Sequence, residues 1–394
     1  MNILFITQKL IGGGAEKVTC VLASEFAKEG NNVFIATHRN DDRYDEIDSS
    51  VQVISMDLDK GTNVISRFIN CLGAIRKLKQ IKKEKEIECS ISMLGSPNFE
   101  NVLSRSGERV IISIRNLCSA YFKGINAYLN QFSGQHADKV VCLSENVRDD
   151  QIINFKTNSD KCITIYNPCD YISIENKSKQ LVDDDVFEEI RKKSNFMVIT
   201  AGRSTYQKGQ WHMIRAFKKV VEHNEKAVLI ILGCGDLDNT LENLIRDMRL
   251  EKNVFKLGFK KNIYFYMSKA DLFAFTSLFE GFGNILLEAM ACGLPIVSCD
   301  CNAGPRELLE PGSDLSTRLL DVEKGEYGVL TPVMDGKLYG AEEALTKEEI
   351  IFADAINFLM DDHSMLLHYK KKSIERIKDF SPDKILQQWK VHMK

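Results

Sequence analysis

Two glutamates, Glu280 and Glu288, stand in the segment Phe279-Glu280-Gly281-Phe282-Gly283-Asn284-Ile285-Leu286-Leu287-Glu288-Ala289-Met290-Ala291-Cys292-Gly293. Glu280 falls in a glycine-bearing loop after a β-rich apolar run, and Glu288 falls inside the helix that follows. Gly293 and Pro295 stop that helix. Gly281 and Gly283 let backbone amides face a ligand at the helix N-terminus, where an anion is favoured. Two carboxylates beside such a phosphate site accept hydrogen bonds from hydroxyl groups on either side of it. A helical glutamate is ordinarily solvated, but Glu288 sits in an otherwise apolar Ile285–Ala291 stretch and calls for a partner. Paired carboxylates also suit a hydrolase, a reading that comes with no phosphate chemistry.

A second loop supplies that chemistry. Ala201-Gly202-Arg203-Ser204-Thr205-Tyr206-Gln207-Lys208-Gly209 follows a strand and opens into a helix. A fork-shaped guanidinium and a point-charge ammonium at one strand end suit a diphosphate. They would stabilise negative charge growing on a departing nucleotide diphosphate. Taken alone, they also read as two surface cations. A third loop, Gly12-Gly13-Gly14-Ala15-Glu16, lies between the first strand and the first helix, where glycines let N–H groups approach a phosphate. A dinucleotide site is the competing reading there. Its spacing fails, because Lys17 stands where the third glycine belongs, and Thr37-His38-Arg39 ends the second strand without an acidic ribose ligand. A bare glycine turn remains the plain alternative.

These loops need strands to end on, and short apolar runs alternate with helical-period segments nearly throughout. Strands are expected at Ile3–Thr7, Val33–Thr37, Val51–Met56, Ile87–Met93, Val110–Ile114 and Val140–Leu143. Ala15–Glu29 is a helix with Val18, Leu22 and Phe26 on one face. After an acidic stretch at 171–195, read as the interdomain connection, strands restart at Phe196–Ala201, Ala227–Leu232, Asn253–Leu257, Leu272–Thr276 and Ile296–Cys299. Helices are expected at Gly209–His223, Leu237–Leu250 and Ile285–Ala291. Such alternation implies parallel, doubly wound α/β sheets whose ligands collect at the carboxyl ends of strands.

At 394 residues the chain exceeds what one core usually serves, so two domains are expected, 1–170 and 196–381. A net charge of -3 argues against a nucleic-acid binder. Eleven cysteines without a CxxC pair fit a reducing cytoplasm better than a disulfide scaffold or a zinc site. Met1–Thr7 reads as a first strand rather than a secretory leader. No apolar run reaches the roughly 18–20 residues that span a bilayer, so any membrane contact is expected to be peripheral.

Taken together, the Glu280–Glu288 pair, the Gly13–Glu16 loop and Gly202-Arg203…Lys208-Gly209 resemble the retaining GT-B glycosyltransferases of family 4 over nearly the whole chain. The likeness is strongest to bacterial enzymes of surface polysaccharides and lipid-linked oligosaccharides. It implies two Rossmann-like domains facing each other across a cleft, with a terminal helix at 382–394, carrying Ile385 and Trp389, that crosses back to the first domain. By position, Gly202, Arg203 and Lys208 would hold the donor diphosphate, Glu288 the ribose and Glu280 the sugar hydroxyls. Gly281 and the backbone of Phe282, Gly283, Asn284 and Ile285 would line sugar and phosphate. Gly13 and Gly14 would approach the diphosphate from the N-terminal domain, and loops at Gly233–Gly235 and at Gly258, Phe259 and Lys260 would flank the base. Where many relatives carry a histidine, this chain has Ile112-Ser113-Ile114-Arg115-Asn116, so Arg115 or Asn116 takes its place. Arg115 would alternatively bind an anionic acceptor such as a lipid pyrophosphate. Ala303-Gly304-Pro305-Arg306-Glu307 and Glu326–Leu330 also match the bacterial form.

The resemblance implies a UDP-sugar donor and front-face attack with retention, the leaving phosphate helping to deprotonate the acceptor. No DxD-like pair stands in the expected catalytic loops, so neither metal nor other cofactor is expected. Competing classes are a GT-B epimerase, which would release a changed sugar nucleotide without acceptor, a phosphorylase, and a non-catalytic sugar-nucleotide-binding protein. Residues 64–85 add a possible partner. Val64, Ile65, Phe68, Ile69, Leu72, Ile75, Leu78 and Ile81 recur at helical spacing, with Arg67, Arg76, Lys77, Lys79, Lys82, Lys83 and Lys85 between them. Either this helix packs on its own domain with a solvated basic face, or that face meets anionic lipid at the inner face of the membrane.

Overall fold

The apolar run of the first strand, Asn2–Thr7, is buried on both faces. Ile3 and Phe5 join one cluster with Val18, Leu22 and Phe26, while Leu4 and Ile6 join another with Ala74 and Leu78. A strand covered on both sides belongs in the middle of a parallel sheet with helices over each face. The computed structural model of the chain describes residues 1–10, 14–39, 47–58 and 63–394, and the chain divides into two units. Unit 1 comprises Met1–Pro168 and Phe380–Lys394; unit 2 comprises Cys169–Asp379.

Among its described residues unit 1 holds seven strands: β1 Asn2–Thr7, β2 Asn32–Thr37, β3 Gln52–Ser55, β4 Cys89–Met93, β5 Arg109–Ile114, β6 Lys139–Cys142 and β7 Cys162–Thr164. Their order is β3-β2-β1-β4-β5-β6-β7, and every pairing is parallel. Helices α1 (Gly14–Lys28), α2 (Val64–Glu84) and α3 (Gly95–Leu103) are among those that cover it. The C-terminal helix Pro382–His392 adds Ile385, Leu386 and Trp389 to the cluster that contains α1, so the chain's last residues complete the first unit's core.

Unit 2 repeats the plan with β8 Phe196–Ala201, β9 Ala227–Leu232, β10 Val254–Gly258, β11 Leu272–Phe275, β12 Ile296–Cys299, β13 Glu323–Lys324 and β14 Val329–Thr331. The order is β10-β9-β8-β11-β12-β14-β13, parallel except for the β13–β14 edge pair. Helices α4 (Gln210–His223), α5 (Asn284–Ala291) and α6 (Lys347–Asp361) follow. Residues 171–195, read from sequence as a connection, belong to this unit. They carry helices Tyr171–Ser178 and Asp185–Lys193, and Phe187 is buried edge-on against Tyr266. A cluster of acidic residues masked that apolar anchor.

The helix α2 departs from its expected faces. Leu78 packs inward as expected, with Ala74 beside it in the same cluster, but Phe68, Ile69 and Leu72 are 65%, 60% and 41% exposed. Lys82, counted among the basic positions, is buried. Its ammonium pairs with Glu108 at 2.7 Å and donates to the Asn101 carbonyl and side chain at 2.9 and 2.7 Å. Burial pushes this lysine down to about 8, against the pull of the Glu108 carboxylate. Apolar spacing identifies a helix but not which neighbours cover it, and here a buried ion pair claims a turn of the inner face.

Candidate active site

In each sheet the strand order reverses beside the first strand of the unit: between β1 and β4, and between β8 and β11. Loops leaving adjacent strands in opposite directions open a crevice there, the usual ligand position of an open α/β sheet. In unit 2 the two loops concerned are 202–209 after β8 and 276–283 after β11. These are the segments that hold Arg203, Lys208 and Glu280.

The two loops are joined by hydrogen bonds to backbone carbonyls. Gln207 Nε2 donates to the Phe279 carbonyl at 3.0 Å, the Leu278 amide to the Gln207 carbonyl at 2.8 Å, and Thr276 Oγ1 to the Lys208 carbonyl at 3.1 Å. Gly209, at φ +57, lets the first loop press so closely that a Cβ would stand 2.4 Å from the Thr276 carbonyl oxygen. The result is an ion pair between side chains 72 residues apart: Lys208 Nζ lies 2.5 Å from Glu280 Oε1, both largely buried. Lys208 also stands over the Phe275 ring at 5.6 Å. Arg203, on the same loop, is exposed and forms no ion pair among the described residues.

Gly283, at φ +87, caps α5, which starts at Asn284. Gly281 and Phe282 are buried, and Asn284 and Ile285 half-buried, at the start of that helix. Glu288 is half-buried on α5 and accepts a hydrogen bond from the Tyr264 hydroxyl at 3.3 Å. Its apolar surroundings called for such a partner, but Tyr264 lies on another helix and nothing in the local sequence marks it. Behind this loop runs the turn Asn302–Pro305. Ala303 and Gly304 have φ of +68 and +103, and a Cβ on Gly304 would meet the Phe282 carbonyl oxygen at 1.8 Å. Arg306 braces the turn, holding Asp300 at 2.7 Å and Glu323 at 3.0 Å. The backbone supporting Glu280 therefore rests on a motif whose role the sequence left open.

Gly202 and Gly233 bring the β8 and β9 ends together, and the Gly233 amide donates to the Gly258 carbonyl at 2.8 Å. After Gly258 comes Phe259, 77% exposed, then Lys260, whose ammonium is 2.6 Å from Asp184. Asp184 also accepts from the Tyr266 hydroxyl at 2.7 Å. The acidic stretch read as a connection thus anchors the loop beside an exposed aromatic ring.

In unit 1, Arg115 and Asn116 part company. Asn116 is exposed. Arg115 is buried among neutral partners, donating to Ser113 Oγ at 3.1 Å, to Met93 Sδ at 3.8 Å and to Asn167 Oδ1. Burial pushes its guanidinium down to about 10, opposed by Glu16. Gly14 starts α1; Gly12 and Gly13 lie outside the described residues. Among the described residues no group of three or more His, Cys, Asp or Glu side chains could hold a metal ion, and no helix is long and apolar enough to cross a membrane.

Comparison with known proteins places these loops in a family context. A model described as Glycosyltransferase Family 4 matches residues 12–171, and one described as Glycosyl transferases group 1 matches residues 182–323. An uncharacterized glycosyltransferase of Methanocaldococcus jannaschii is 38% identical over 220 residues, spanning 55% of this chain and about half, 54%, of that protein. A Campylobacter jejuni 4-alpha-N-acetylgalactosaminyltransferase, named for an N-acetylgalactosamine-N,N'-diacetylbacillosaminyl-diphospho-undecaprenol, is 29% identical over 317 residues, 77% of this chain and 83% of its own. The crystal structure of Anabaena HepE in complex with UDP superposes with a TM-score of 0.74 over 99% of both chains at 19% identity, a likeness of fold: the GT-B arrangement of two α/β domains.

Proposed function

We propose a donor, an acceptor and a mechanism for this chain, which belongs to the glycosyltransferases, its first half to family 4 and its second to group 1. It moves a hexosyl or N-acetylhexosaminyl unit from a nucleotide-sugar, a UDP-sugar, to a glycan or polyprenyl-diphosphate-linked acceptor. The setting is cell-surface polysaccharide or lipid-linked glycan synthesis at the cytoplasmic face of the membrane. The observation that carries this reading is the joined pair of loops at the β8/β11 reversal, with Lys208 against Glu280 and Arg203 exposed beside them. The HepE complex with UDP and the diphospho-undecaprenol acceptor of the Campylobacter relative support the choice of donor and acceptor.

The chemistry follows from charge. The acceptor hydroxyl oxygen bonds to the anomeric carbon as the bond from that carbon to the β-phosphate oxygen breaks. The acceptor proton passes to the leaving phosphate on the same face, so configuration is retained and no enzyme nucleophile is needed. Negative charge grows on the departing diphosphate, where Arg203 and Lys208 oppose it. Glu280 holds the Lys208 ammonium in place beforehand and accepts from donor-sugar hydroxyls, while Glu288, oriented by Tyr264, accepts from the ribose. On this reading the Lys208 ammonium, held by Glu280, and the exposed Arg203 guanidinium take the part a divalent ion plays elsewhere, so transfer is metal-independent.

A thermal-shift panel of UDP, GDP and ADP tests the donor, since a ligand bound only by the folded state raises the melting temperature. UDP is expected to give the largest shift, and Lys208→Ala to abolish it. Transfer from UDP-N-acetylhexosamine to a polyprenyl-diphosphate-linked sugar is expected to persist in EDTA and to give the same anomer as the donor. A UDP shift undiminished in Lys208→Ala, or complete loss of transfer in EDTA, would refute the respective part of the reading.

A further inference from the structure

Between β14 and α6 the chain runs through residues 332–346 without helix or strand. An irregular segment of that length inside a compact unit usually has a task of its own. Here it is bound down as a strap over the start of α4. Met334 is buried in the core cluster of unit 2, and Trp211 Nε1 donates to the Lys337 carbonyl at 2.7 Å. Arg215 is fully buried and turns its guanidinium to the strap's far end. It donates to the carbonyls of Gly340, of Glu343 at 3.2 Å and of Ala344 at 2.7 Å. Its Nε donates at 2.9 Å to Glu349 Oε1, which also accepts from His212 Nδ1 at 2.7 Å. Glu349 Oε2 accepts from the Thr346 amide at 2.9 Å, where the strap ends. Burial pushes the Glu349 carboxyl up, but the hydrogen bonds from His212, Arg215 and Thr346 outweigh it and hold the carboxyl below its ordinary value. A buried ion pair is tolerated only where its remaining donors find acceptors, and the strap's carbonyls supply those of Arg215.

The strap's near end meets the donor loops. Asp335 folds it back on itself, accepting from the Lys337 amide at 3.0 Å and the Tyr339 hydroxyl at 2.5 Å, and Arg215 stands over the Tyr339 ring at 5.1 Å. That turn presents Gly336, at φ +78, to both loops. A Cβ there would stand 2.7 Å from the Tyr206 hydroxyl oxygen and 3.2 Å from Leu278 Cδ1. Tyr206 opens the turn Tyr206–Lys208, and its ring already packs against Trp211 at 5.4 Å, so it has little room to swing aside. Leu278 lies on the loop that carries Glu280. We propose that the strap is a positioning element of the donor site: Gly336, set in place by Trp211 and Arg215, bears on Tyr206 and fixes where the turn carrying Lys208 stands. This role presupposes that the turn binds the donor diphosphate.

The experiment measures UDP affinity by titration calorimetry, donor KM and melting temperature on the full chain, at a temperature where every variant is folded. Gly336→Ala is expected to weaken UDP binding and raise donor KM by about tenfold, the scale of a small misplacement of a binding group. Tyr206→Phe/Gly336→Ala removes the hydroxyl that the new methyl meets, and its UDP affinity is expected within about twofold of Tyr206→Phe alone. The melting temperature should stay low in both Gly336→Ala variants, because strain at positive φ remains in each. Affinity that recovers while stability does not separates positioning from packing. Trp211→Phe keeps the ring against Tyr206 and loses only the bond to the Lys337 carbonyl; about threefold weaker UDP binding is expected, which covers a failure of Gly336→Ala to fold. Wild-type UDP affinity in both Gly336→Ala and Trp211→Phe, with binding lost in Lys208→Ala, overturns the strap's role and leaves the donor reading standing. An equal deficit in Gly336→Ala with and without the Tyr206 hydroxyl overturns it too, since the contact is then not the cause. Undiminished UDP binding in Lys208→Ala instead removes the donor reading, and the strap's role with it.

Discussion

Lys208 and Glu280 neutralise one another, so on the proposed reading the local field at the β8/β11 reversal depends on how that pair opens toward the donor diphosphate. Arg203 is differently placed. It is exposed, and its guanidinium offers a planar fork that a lysine cannot reproduce. Arg203→Ala is expected to weaken UDP binding by about 10- to 100-fold, the range of a lost charge-assisted hydrogen bond. Arg203→Lys should recover only part of that loss, and the melting temperature of the free protein should not move, because the side chain supports nothing else. Titration calorimetry with UDP beside thermal unfolding decides it; a large fall in melting temperature would make Arg203 structural instead. At this scale residue identities were legible in sequence and their contacts were not. The Lys208–Glu280 pair spans 72 positions, and Tyr264, which orients Glu288, carries no local mark.

Among the elements, the turn Asn302–Pro305 and the first loop of unit 2 do related work. Each presses backbone against backbone where no Cβ fits: Gly209 against Thr276, and Gly304 against Phe282. Gly304→Ala is expected to push the Phe282 carbonyl away and shift Gly283 and Glu280 with it. Strain at φ +103 adds roughly 1–3 kcal/mol of destabilisation. Donor affinity should fall by more than the stability loss alone accounts for at a temperature where the variant is fully folded. Equal UDP affinity in the folded variant would reduce Gly304 to packing. Short edge elements were the least legible ones: β7 has three residues and β13 two, too few for any periodicity to register. By contrast β8, β9 and β12 occupy the runs read from sequence residue for residue, because each is a mostly apolar run buried on both faces. Helix α2 was legible as a helix but not in its orientation, since Lys82 turned inward to Glu108.

For the molecule as a whole, the C-terminal helix closes unit 1 after the chain has built all of unit 2. Trp389 is buried against the cluster of Phe5, Phe26 and Ile385, so Trp389→Ala is expected to destabilise unit 1 by about 3–5 kcal/mol. Unit 2 has its own separate core, and its UDP binding should survive at temperatures where unit 1 has lost structure. A single coincident transition lowered in step with UDP binding would show instead that the units unfold as one.

Sequence alone determined the alternation of strand and helix, the two α/β sheets and the types of side chain at the loops after β8 and β11. Those follow from local periodicity and from glycine and charge placement, which act over a few residues. Only the tertiary structure decided that Lys208 meets Glu280, that Gly304 bears on Phe282, that residues 171–195 fold into unit 2 and that Lys82 is buried while Phe68 is not. Each of these depends on groups far apart in the chain that compete for the same volume or the same charge, and no window of sequence contains both competitors.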